Sequence, residues 1–422
     1  MRVLVLGAGI VGMATAYYLW RDGHEVTVVD RQGGPGLEAS YGNAGGLCPS
    51  FAGPWAAPGM VAKAIRLSLT PRSPIRFRPQ PDLHQWTWLA RWMANCNAES
   101  FRRNKLRMQR VAHYSLACLR TLVDEAGLDG FDFHSDGVLQ VFRTPEELEL
   151  GRLSARALEE LGIAWRLLNA GEVDALEPAL AQRSAPIAGA LHLPADASGD
   201  SHKFSKALHQ HLAARGVRFL LDTPVHAIEH EAAAITGVQA GPQRLVADAY
   251  VVALGSFAPL LLRPLGIRLP VYPLKGYSIT VPVQDDGPDF QTALMDEHNK
   301  VMISRLGGRV RAAGMGELGG YDLSTDPGQR DMLVNVVREF FPTGLDFDRV
   351  ESWAGLRPMT PDGPPVLGRT HWPNLFLNSG HGSNGWTQAC GTSRIVADIV
   401  AGRSPAINMD GLTGERFGIA PA

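Results

Sequence analysis

Residues 2–12 read RVLVLGAGIVG, and this stretch decides the fold of the chain. The apolar run at residues 2–6 is typical of a parallel strand that is covered on both faces. Gly7, Gly9 and Gly12 follow it and lead into a helix-like segment. Glycines at this spacing permit a tight turn, an approach of phosphate to the backbone and close helix–strand contact. The stretch therefore predicts a unit that binds the diphosphate of a dinucleotide at a helix N-terminus.

An acidic residue follows the next predicted strand. Glu25–Val29 reads as a strand, and Asp30 comes directly after it, 18 residues beyond Gly12. A carboxylate in this position can bind both hydroxyls of an adenosine ribose. A glycine motif alone is weak evidence and fits a chance glycine-rich turn. Its place between strand and helix, with the acid beyond, favours dinucleotide binding.

Composition and length suit a two-domain enzyme. The chain has 422 residues, 45% of them hydrophobic and 19% charged, with a formal net charge of −2. This length predicts about two domains, and the balanced charge gives no indication of nucleic-acid binding. Four cysteines without metal-ligand spacing indicate reduced thiols, a cytoplasmic protein and no metal site. Glycines interrupt the apolar N-terminus, so we expect neither a targeting signal nor a spanning helix.

The charge is unevenly distributed. Residues 60–110 contain eleven Lys or Arg residues and two acids, a local charge of +9. Trp86, Trp88 and Trp92 lie in the same stretch, within a predicted helix. We favour a solvated helix face with tryptophans in the core, because the stretch has no clean amphipathic seam. The alternative is a peripheral contact with the anionic inner face of the cell membrane.

The pattern of elements changes along the chain. Residues 49–81 are rich in Pro and Gly and predict a loop. Beyond it, the sequence predicts helices at 83–126, 145–161, 199–215, 331–341 and 386–400, and strands at 137–142, 190–193, 217–221, 225–228, 248–254 and 375–378. Between residues 271 and 316 the hydrophobic period is two, which indicates an antiparallel sheet.

The two ends of the chain therefore predict one α/β domain, and the centre predicts a second domain. We assign residues 1–48, 196–270 and 346–422 to a Rossmann-like dinucleotide-binding domain with a parallel sheet. Residues 49–195 and 271–345 are assigned to a discontinuous domain built on the antiparallel sheet. A cleft between the two domains is the expected ligand site.

Two glycine-rich turns are candidates for contact with the dinucleotide. The strand at 248–254 runs into Gly255 and Ser256, which fits either a nucleotide contact or an ordinary strand-to-helix turn. Residues 379–385 read SGHGSNG and open a helix whose amides and dipole can stabilise negative charge. The alternative is a turn that satisfies only its own helix. His381 is either a proton carrier or a histidine that is hydrogen-bonded within the turn.

Three polar side chains near the two domains' junction are candidates for binding substrate. Arg357 lies between an apolar strand and Pro358, where it can hold a carboxylate by two parallel hydrogen bonds or form a surface salt bridge. Lys275 and Tyr277 lie two residues apart and share one strand face, with Gly276 on the other. The Tyr277 hydroxyl can bind the same carboxylate, or its ring can pack in the core.

At these residues the sequence resembles the D-amino acid dehydrogenases, flavoproteins of the D-amino acid oxidase superfamily. The likeness runs nearly end to end and is carried by Gly7–Gly12, Asn43–Gly45, Pro54–Gly59, Phe142–Thr144, Tyr272–Ser278, Gly355–Gly363 and Gly380–Gly382. The resemblance implies noncovalent FAD and oxidation of a D-amino acid to an imine, which water converts to a 2-oxo acid and ammonia. It also implies hydride transfer from Cα to flavin N5 and electron transfer to a quinone or another respiratory acceptor.

The resemblance also implies roles for individual residues. Arg357 is expected to bind the substrate carboxylate, and Tyr277, Lys275 and His381 are further candidate catalytic residues. No residue is expected to bind a metal. The residues expected to hold FAD are Gly7, Gly9, Ile10, Val11, Gly12, Asp30, Arg31, Ser40, Asn43, Ala44, Gly45, Val225, Gly255, Gly380, Gly382, Ser383, Asn384 and Gly385.

Three segments depart from the pattern of the family. Gly46 stands where relatives carry Gln, His298 and Asn299 stand where they carry Thr-Tyr, and Ser383 and Asn384 stand where they carry Thr-Leu. If these segments face the cleft, the pocket is more polar than one that prefers D-alanine. The departures leave the preferred substrate open and do not change the reaction class.

Two alternatives remain at the level of sequence. An enzyme of the same superfamily can act on another amine or imino acid, such as hydroxy-D-proline, D-proline or sarcosine, and oxidases share the same motifs. A regulatory protein without enzymatic activity can use the fingerprint to sense NAD. The absorbance spectrum of the purified protein distinguishes a flavoprotein from such a sensor.

Overall fold

The computed structural model describes residues 1–68, 73–159 and 162–419. Its α-helices are α1 (Ile10–Arg21), α2 (Met60–Ser68), α3 (Leu83–Asn95), α4 (Ala98–Ala126), α5 (Pro145–Glu159), α6 (Ala170–Leu176), α7 (Ser201–Ala213), α8 (Ala258–Leu262), α9 (Pro327–Phe340) and α10 (Gly385–Val400). Its strands are β1 (Arg2–Leu6), β2 (Glu25–Val29), β3 (Gly46–Leu47), β4 (Ile75–Phe77), β5 (Val138–Phe142), β6 (Arg166–Leu168), β7 (Gly189–Leu193), β8 (Ala197–Ser198), β9 (Arg218–Leu220), β10 (Val225–Glu231), β11 (Ala234–Ala240), β12 (Gln243–Leu245), β13 (Ala249–Val252), β14 (Tyr272–Pro282), β15 (Ala293–Asp296), β16 (Val301–Arg305), β17 (Arg309–Leu318), β18 (Glu351–Met359), β19 (Val366–Arg369) and β20 (Leu375–Ser379).

The first of the two large sheets has six strands, in the order β19-β20-β13-β1-β2-β9. All of its neighbours pair in parallel except β19 and β20. Helices α1, α7 and α10 cover one face, and the antiparallel sheet β10-β11-β12 and α8 cover the other. Both faces are covered, which is why the strands read as continuous apolar runs. The predicted α/β class with a parallel dinucleotide-binding sheet is confirmed.

The contact between α1 and β1 requires a glycine. A Cβ atom at Gly12 would lie 1.9 Å from the carbonyl oxygen of Gly7, inside any permitted contact. Gly7 itself has a φ of +109°, which L side chains rarely adopt. The helix can therefore sit directly against the end of the strand, as the motif predicts.

The second large sheet is mostly antiparallel. Its strand order is β18-β14-β17-β16-β15-β5-β7-β6, and β4 pairs with β17. Only the β15–β5 and β17–β4 pairs are parallel. Helix α9 packs on one face through Leu333, Val337 and Phe340, which contact strand residues such as Ile279 and Val310 in one apolar cluster. The sheet predicted from the period of two is confirmed.

Two predicted elements differ in detail. The predicted single helix at 83–126 is two helices. The first ends at Cys96, and Asn97 caps α4 by accepting a hydrogen bond from the amide of Ser100. The predicted loop at 49–81 contains the helix α2 and the short strand β4. Residues 69–72 of that loop and residues 160–161 of the predicted helix at 145–161 lie outside the described residues.

The predicted domain assignment also needs correction at two places. Glu351–Met359 was assigned to the dinucleotide-binding part, but it pairs along its full length with β14 in the antiparallel sheet. Ala98–Ala126 was assigned to the second domain, but α4 packs against α1 and α10 in the core of the first. Both assignments depend on strand pairing and apolar contacts between segments that lie far apart in sequence.

The described residues include no helix that is long and apolar enough to cross a membrane. In the same part of the chain, no group of three or more His, Cys, Asp or Glu residues is arranged to hold a metal ion.

Candidate active site

A cavity of about 900 Å³ lies between the two sheets. The turns after three parallel strands reach it: Gly7 follows β1, Gly255 follows β13 and His381 follows β20. In doubly wound folds, ligands bind at this carboxyl edge of the parallel sheet. The antiparallel strands β14, β16, β17 and β18 supply the opposite wall.

The glycine-rich turn after β1 forms one end of the cavity. Gly7, Gly9, Ile10 and Val11 line it, and the hydroxyl of Ser40 accepts a hydrogen bond from the amide of Ile10 at 3.0 Å. A Cβ at Gly9 would find no protein atom closer than the Ser40 oxygen at 3.6 Å, so the space before this amide is open. Within the described residues, the amides of Gly9 and Val11 have no protein acceptor. This turn is suited to bind a phosphate group.

The predicted ribose-binding acid, Asp30, lies at the same end. Its Oδ2 accepts a hydrogen bond from the amide of Ala8 at 2.6 Å and its Oδ1 from the amide of Gln32 at 2.8 Å. Burial raises the pKa of Asp30, and the two amide hydrogen bonds oppose that rise. Arg31 lies beside it, ion-paired with Glu38 and with its guanidinium carbon 3.9 Å from the centre of the Phe257 ring.

The other predicted cofactor residues fall into two groups. Those that line the cavity with the residues above are Asn43, Ala44, Val225, Gly255, Gly382, Ser383, Asn384 and Gly385. Gly12, Gly45 and Gly380 lie behind the wall and shape it. Gly45 donates its amide to Asn43 Oδ1 at 2.8 Å, and Gly380 has a φ of +79° with a Cβ position 2.6 Å from Thr360 Cγ2. Contact between these three and a ligand is therefore not expected.

The arrangement fits FAD. Helix α1 begins at one end of the cavity, and helix α10 begins at its other wall with Asn384 as the residue before its first turn and no side-chain cap. Two helix N-termini with free amides offer sites for the diphosphate and for negative charge that develops on a reduced flavin ring. The acid, the open glycine backbone and the cavity volume suit an extended dinucleotide.

Arg357 lies on the antiparallel wall. Its Nη1 donates to the carbonyl oxygen of Met315 at 2.5 Å, and its Nη2 donates to that of Gly314 at 3.1 Å. No acid pairs with it among the residues that the structure describes, and burial lowers the pKa of Arg357 to about 10. The guanidinium therefore remains a cation at neutral pH, inside a cavity and without a protein anion. Among the described residues, the salt-bridge alternative for Arg357 finds no acidic partner.

Trp55 completes the surroundings of this guanidinium. Its ring centre lies 5.9 Å from the guanidinium carbon of Arg357, and its indole N–H donates to the Ser383 hydroxyl at 3.3 Å. The tryptophan therefore links the antiparallel wall to the turn before α10. Sequence reasoning did not assign Trp55 to the site, although the motif Pro54–Gly59 that carries it was noted.

Lys275 and Tyr277 do not act together with Arg357 in the cavity. As predicted, they share one face of β14, but that face points away from the guanidinium. The Lys275 amine lies 3.0 Å from Glu317 Oε1 and 2.9 Å from Asp322 Oδ2. Tyr277 borders the cavity, yet its hydroxyl donates to Glu317 Oε2 at 3.1 Å. Their candidate catalytic roles are corrected accordingly, because a buried carboxylate already holds both polar groups.

His381 is buried beside the turn that precedes α10. Its Nε2 lies 3.0 Å from the hydroxyl of Thr392, and only 2% of the residue is exposed. Burial lowers the pKa of His381 to about 3. The alternative interpretation, a histidine hydrogen-bonded beside the turn, agrees with this environment.

The departures from the family pattern largely face the cavity. Gly46, His298, Ser383 and Asn384 line it, and Asn299 does not, since its amide donates to Asp296 at 2.8 Å. The sequence reasoning missed Lys63 on α2 and Lys300 in the turn between β15 and β16, which also line the cavity. It also missed the strand residues Met295, Met302, Met315 and Trp353 of the antiparallel wall. Nothing in their local sequence marks them, because strand pairing alone brings them together.

Comparison with known proteins agrees with this geometry. Residues 2–399 match the family described as DAO, FAD dependent oxidoreductase. The D-amino acid dehydrogenase of Methylobacterium nodulans is 47% identical over 418 residues, 99% of each chain, and that of Granulibacter bethesdensis is 44% identical over 417 residues, 99% of this chain and 100% of the relative.

Solved structures agree on the fold. Glycine oxidase from Geobacillus kaustophilus superposes with a TM-score of 0.76 at 23% identity, over 98% of both chains. L-proline dehydrogenase from P. horikoshii superposes with a TM-score of 0.75 at 18% identity, over 99% of this chain and 97% of the other. The chain thus belongs to the DAO family of FAD-dependent oxidoreductases, in the group of the D-amino acid dehydrogenases.

Proposed function

We propose that this protein oxidises D-amino acids to 2-oxo acids and ammonia through an imine, and passes the electrons to a quinone or another respiratory acceptor. The observation that carries the proposal is Arg357, a cation inside the cavity with two N–H groups held by backbone carbonyls and, within the described part of the chain, no acidic partner. A planar guanidinium in this state is suited to bind a carboxylate through its remaining N–H groups.

Arg357 sets the position of the substrate. The carbonyl groups of Gly314 and Met315 fix the plane of the guanidinium, and a carboxylate bound to it takes a fixed orientation. The Cα–H bond of the amino acid is thereby aimed at one place in the cavity, which is how orientation lowers a reaction barrier. The Trp55 ring borders this place, with its centre 5.9 Å from the guanidinium carbon.

FAD, when bound, supplies the acceptor for the hydride that leaves Cα. The turn Gly7–Val11 and Asp30 would hold its dinucleotide part, and the N-terminus of α10 at Ser383–Gly385 would stabilise negative charge on its reduced form. The lone pair of the substrate nitrogen assists the departure of the hydride from Cα. The substrate amine therefore has to be neutral before the hydride leaves, and rates fall at low pH.

The choice of a respiratory acceptor also bears on where the protein works. We propose that it lies at the inner face of the cell membrane in peripheral contact with anionic lipid. Leu83, Trp86 and Met93 occupy one side of α3 with exposed fractions of 68%, 48% and 45%, and Arg91 on the same helix is exposed as well. We name Leu83, Trp86 and Met93 the α3 stripe. An exposed apolar stripe on a helix that also carries an exposed cation is suited to rest on such a surface.

The structure limits the part that charge plays in this contact. Arg76, Arg103 and Arg107 of the basic stretch are ion-paired with acids, and Arg72 lies outside the described residues. Trp88 and Trp92 pack in the core, as the interpretation of a solvated helix face with core tryptophans expects. Their ring centres lie 6.5 Å apart, and their planes are 8° from parallel. The apolar stripe, more than the charge of +9, supports the proposal.

A panel of substrates tests the activity. The purified protein is mixed with D-amino acids, their L enantiomers, D-proline, hydroxy-D-proline and sarcosine, with an artificial dye as acceptor, under air and under nitrogen. We expect flavin absorbance, dye reduction with D-amino acids in both atmospheres, and little peroxide. Amines that lack the carboxylate serve as controls and are expected to react poorly.

Three results would contradict the proposal. Rapid, stoichiometric formation of peroxide under air identifies an oxidase. Preference for an imino acid or for sarcosine identifies a different amine substrate. A colourless protein that binds NAD identifies a sensor without this activity.

A further inference from the structure

A bulge interrupts the pairing of β14 with β17. Lys275 pairs with Glu317 and Tyr277 pairs with Gly314, so β17 uses one residue more than β14 over this interval. Met315 lies in the bulge with a φ of +63°, a backbone conformation that residues other than glycine rarely adopt. Bulges re-aim backbone groups and are frequent beside active sites.

The bulge supplies both acceptors that orient Arg357. The arginine starts on β18, crosses β14 over Gly276 and ends at the carbonyl oxygens of Gly314 and Met315 on β17. In a regular strand, the carbonyl groups of successive residues point toward opposite edges of the strand. Two consecutive carbonyls reach the same guanidinium here because the positive φ of Met315 turns its peptide.

A buried ionic cluster lies on the other face of the sheet, directly behind the bulge. Glu317 Oε1 lies 3.0 Å from the Lys275 amine, and Glu317 Oε2 accepts from the Tyr277 hydroxyl at 3.1 Å. The side chains of Lys275 and Glu317 are 2% and 1% exposed. Arg78 and Asp322 close the cluster at the surface side, at 3.1 Å from Glu317 and 2.9 Å from Lys275. We name Lys275, Tyr277 and Glu317 the bulge clamp.

The position of the bulge clamp explains why the fold keeps buried charges. A buried ion pair is weak evidence for stability, because the desolvation of both partners offsets their attraction, and its best-attested role is to fix register. Two clamp residues flank Gly276 on β14, and the third follows the bulge on β17. A slip of the pairing by one residue separates these three groups and leaves a buried charge without a partner, at high cost.

We propose that the bulge clamp holds the bulge in its register and thereby positions Arg357 for the substrate carboxylate. Lys275, Tyr277 and Glu317 are positioning residues, since their polar groups contact one another and not the cavity. The inference rests on the proposed function, because it assumes that Arg357 binds the carboxylate.

The first test uses Glu317→Gln, which keeps the shape of the side chain and removes its charge. We expect KM for D-amino acids and the dissociation constant of acetate, measured by its perturbation of the flavin spectrum, to rise about tenfold, with kcat changed less and flavin content normal. Tyr277→Phe removes one hydrogen bond and is expected to act in the same direction by about threefold. If Glu317→Gln does not fold, Tyr277→Phe decides, and a normal KM and acetate affinity in that variant would overturn the proposal.

A matched control separates positioning from stability. Asp398→Asn breaks another buried ionic contact, that of Asp398 with Arg394 and Arg403, on α10 away from the substrate wall. We expect it to lower the melting temperature without a change in KM or acetate affinity. A Glu317→Gln variant that behaves like this control, with a lower melting temperature and unchanged KM, would show that the clamp contributes only stability.

A double-mutant cycle identifies the residue through which the clamp acts. In a background of Arg357→Lys, we expect Glu317→Gln to add no further change in KM or acetate affinity. Independent, additive effects would overturn the proposal. A failure of the proposed function gives a different result. In that case Arg357→Lys alone leaves the acetate affinity and KM unchanged, whatever the effect of Glu317→Gln.

Discussion

The guanidinium of Arg357 lies flat against the backbone of Gly276. A Cβ atom at residue 276 would come within 2.4 Å of Cζ and Nη2 of the arginine and within 2.6 Å of its Nη1. The two residues lie on adjacent strands, two positions out of direct register, since Arg357 pairs with Leu274 and Gly276 pairs with Gly355. The glycine therefore gives the arginine a path across the sheet to the bulge that orients it.

Replacement of this glycine tests the path. Gly276→Ala is expected to displace Arg357, because a methyl group and the guanidinium cannot occupy the same space, and to raise KM for D-amino acids at least tenfold. Steady-state kinetics and flavin content measure the result. Gly308→Ala, in the turn that joins β16 and β17 of the same sheet, is the control, since a Cβ there meets no atom within 4 Å. Normal kinetics in Gly276→Ala would mean that the substrate does not depend on this arrangement.

Gly9→Ala tests the assignment of the diphosphate site. The nearest protein atom to the new methyl group is the Ser40 oxygen at 3.6 Å, so the fold tolerates it. The methyl group enters the space before the free amides, and we expect the variant to purify folded but largely without FAD. Gly12→Ala is expected to destabilise the fold itself, because its methyl group overlaps the Gly7 carbonyl. Full flavin occupancy in Gly9→Ala would show that the diphosphate binds elsewhere.

Arg357→Lys tests the carboxylate site. Lysine keeps the charge but loses the planar fork, and truncation of one partner of a buried charge pair typically costs about 2–5 kcal/mol. We expect KM to rise by roughly 30-fold or more, with slower flavin reduction and normal flavin content. Activity on an amine without a carboxylate is expected to change little. Near-normal kinetics on D-amino acids would mean that another group anchors the substrate.

Asp196 gives the protein a predictable dependence of stability on pH. The carboxyl is fully buried and accepts from the amide and hydroxyl of Ser50, and burial raises its pKa to about 7. The folded state therefore binds its proton more tightly than the unfolded state, whose pKa is near the ordinary value of 3.8. Stability is present at low pH and is lost as the pH rises from about 4 to 7, by up to about 4 kcal/mol.

Asp196→Asn removes this dependence. The amide stays neutral at every pH, so the difference in stability between variant and parent is expected to be small at pH 4 and to favour the variant at pH 8. Melting temperatures followed by flavin fluorescence across this range measure it. Parallel melting curves for the two proteins at both pH values would contradict the raised pKa.

The α3 stripe makes the membrane contact testable. We expect the protein to bind vesicles that contain phosphatidylglycerol more strongly than vesicles of phosphatidylcholine, and less strongly at high salt. Replacement of Leu83, Trp86 and Met93 by Ser is expected to abolish binding and to leave dye-linked activity unchanged. Leu150→Ser with Leu153→Ser is the control, since these exposed side chains lie on α5. Equal binding by parent and stripe variant would exclude this surface.

Much of this protein is determined by short-range features of its sequence. The strand, the glycine turn and the following helix at residues 2–21 form through neighbours, and Gly12 has to be a glycine because the chain itself closes on it there. The period of two that predicts the antiparallel sheet is also local. Arg357 was identified from the strand and proline around it, and a full-length resemblance supplied its role.

Tertiary structure alone decided which polar groups reach the cavity. The alternation of β14 placed Lys275 and Tyr277 on one face, but sequence does not state which face meets the cavity, and a buried Glu317 from a distant strand holds both groups. The same applies to His381, whose pKa depends on burial by the surrounding helix and strands. The bulge at Met315 and the capture of residues 351–359 by β14 depend on pairing between strands far apart in sequence. Such partners are selected by the packing of the whole fold, which local periodicity does not encode.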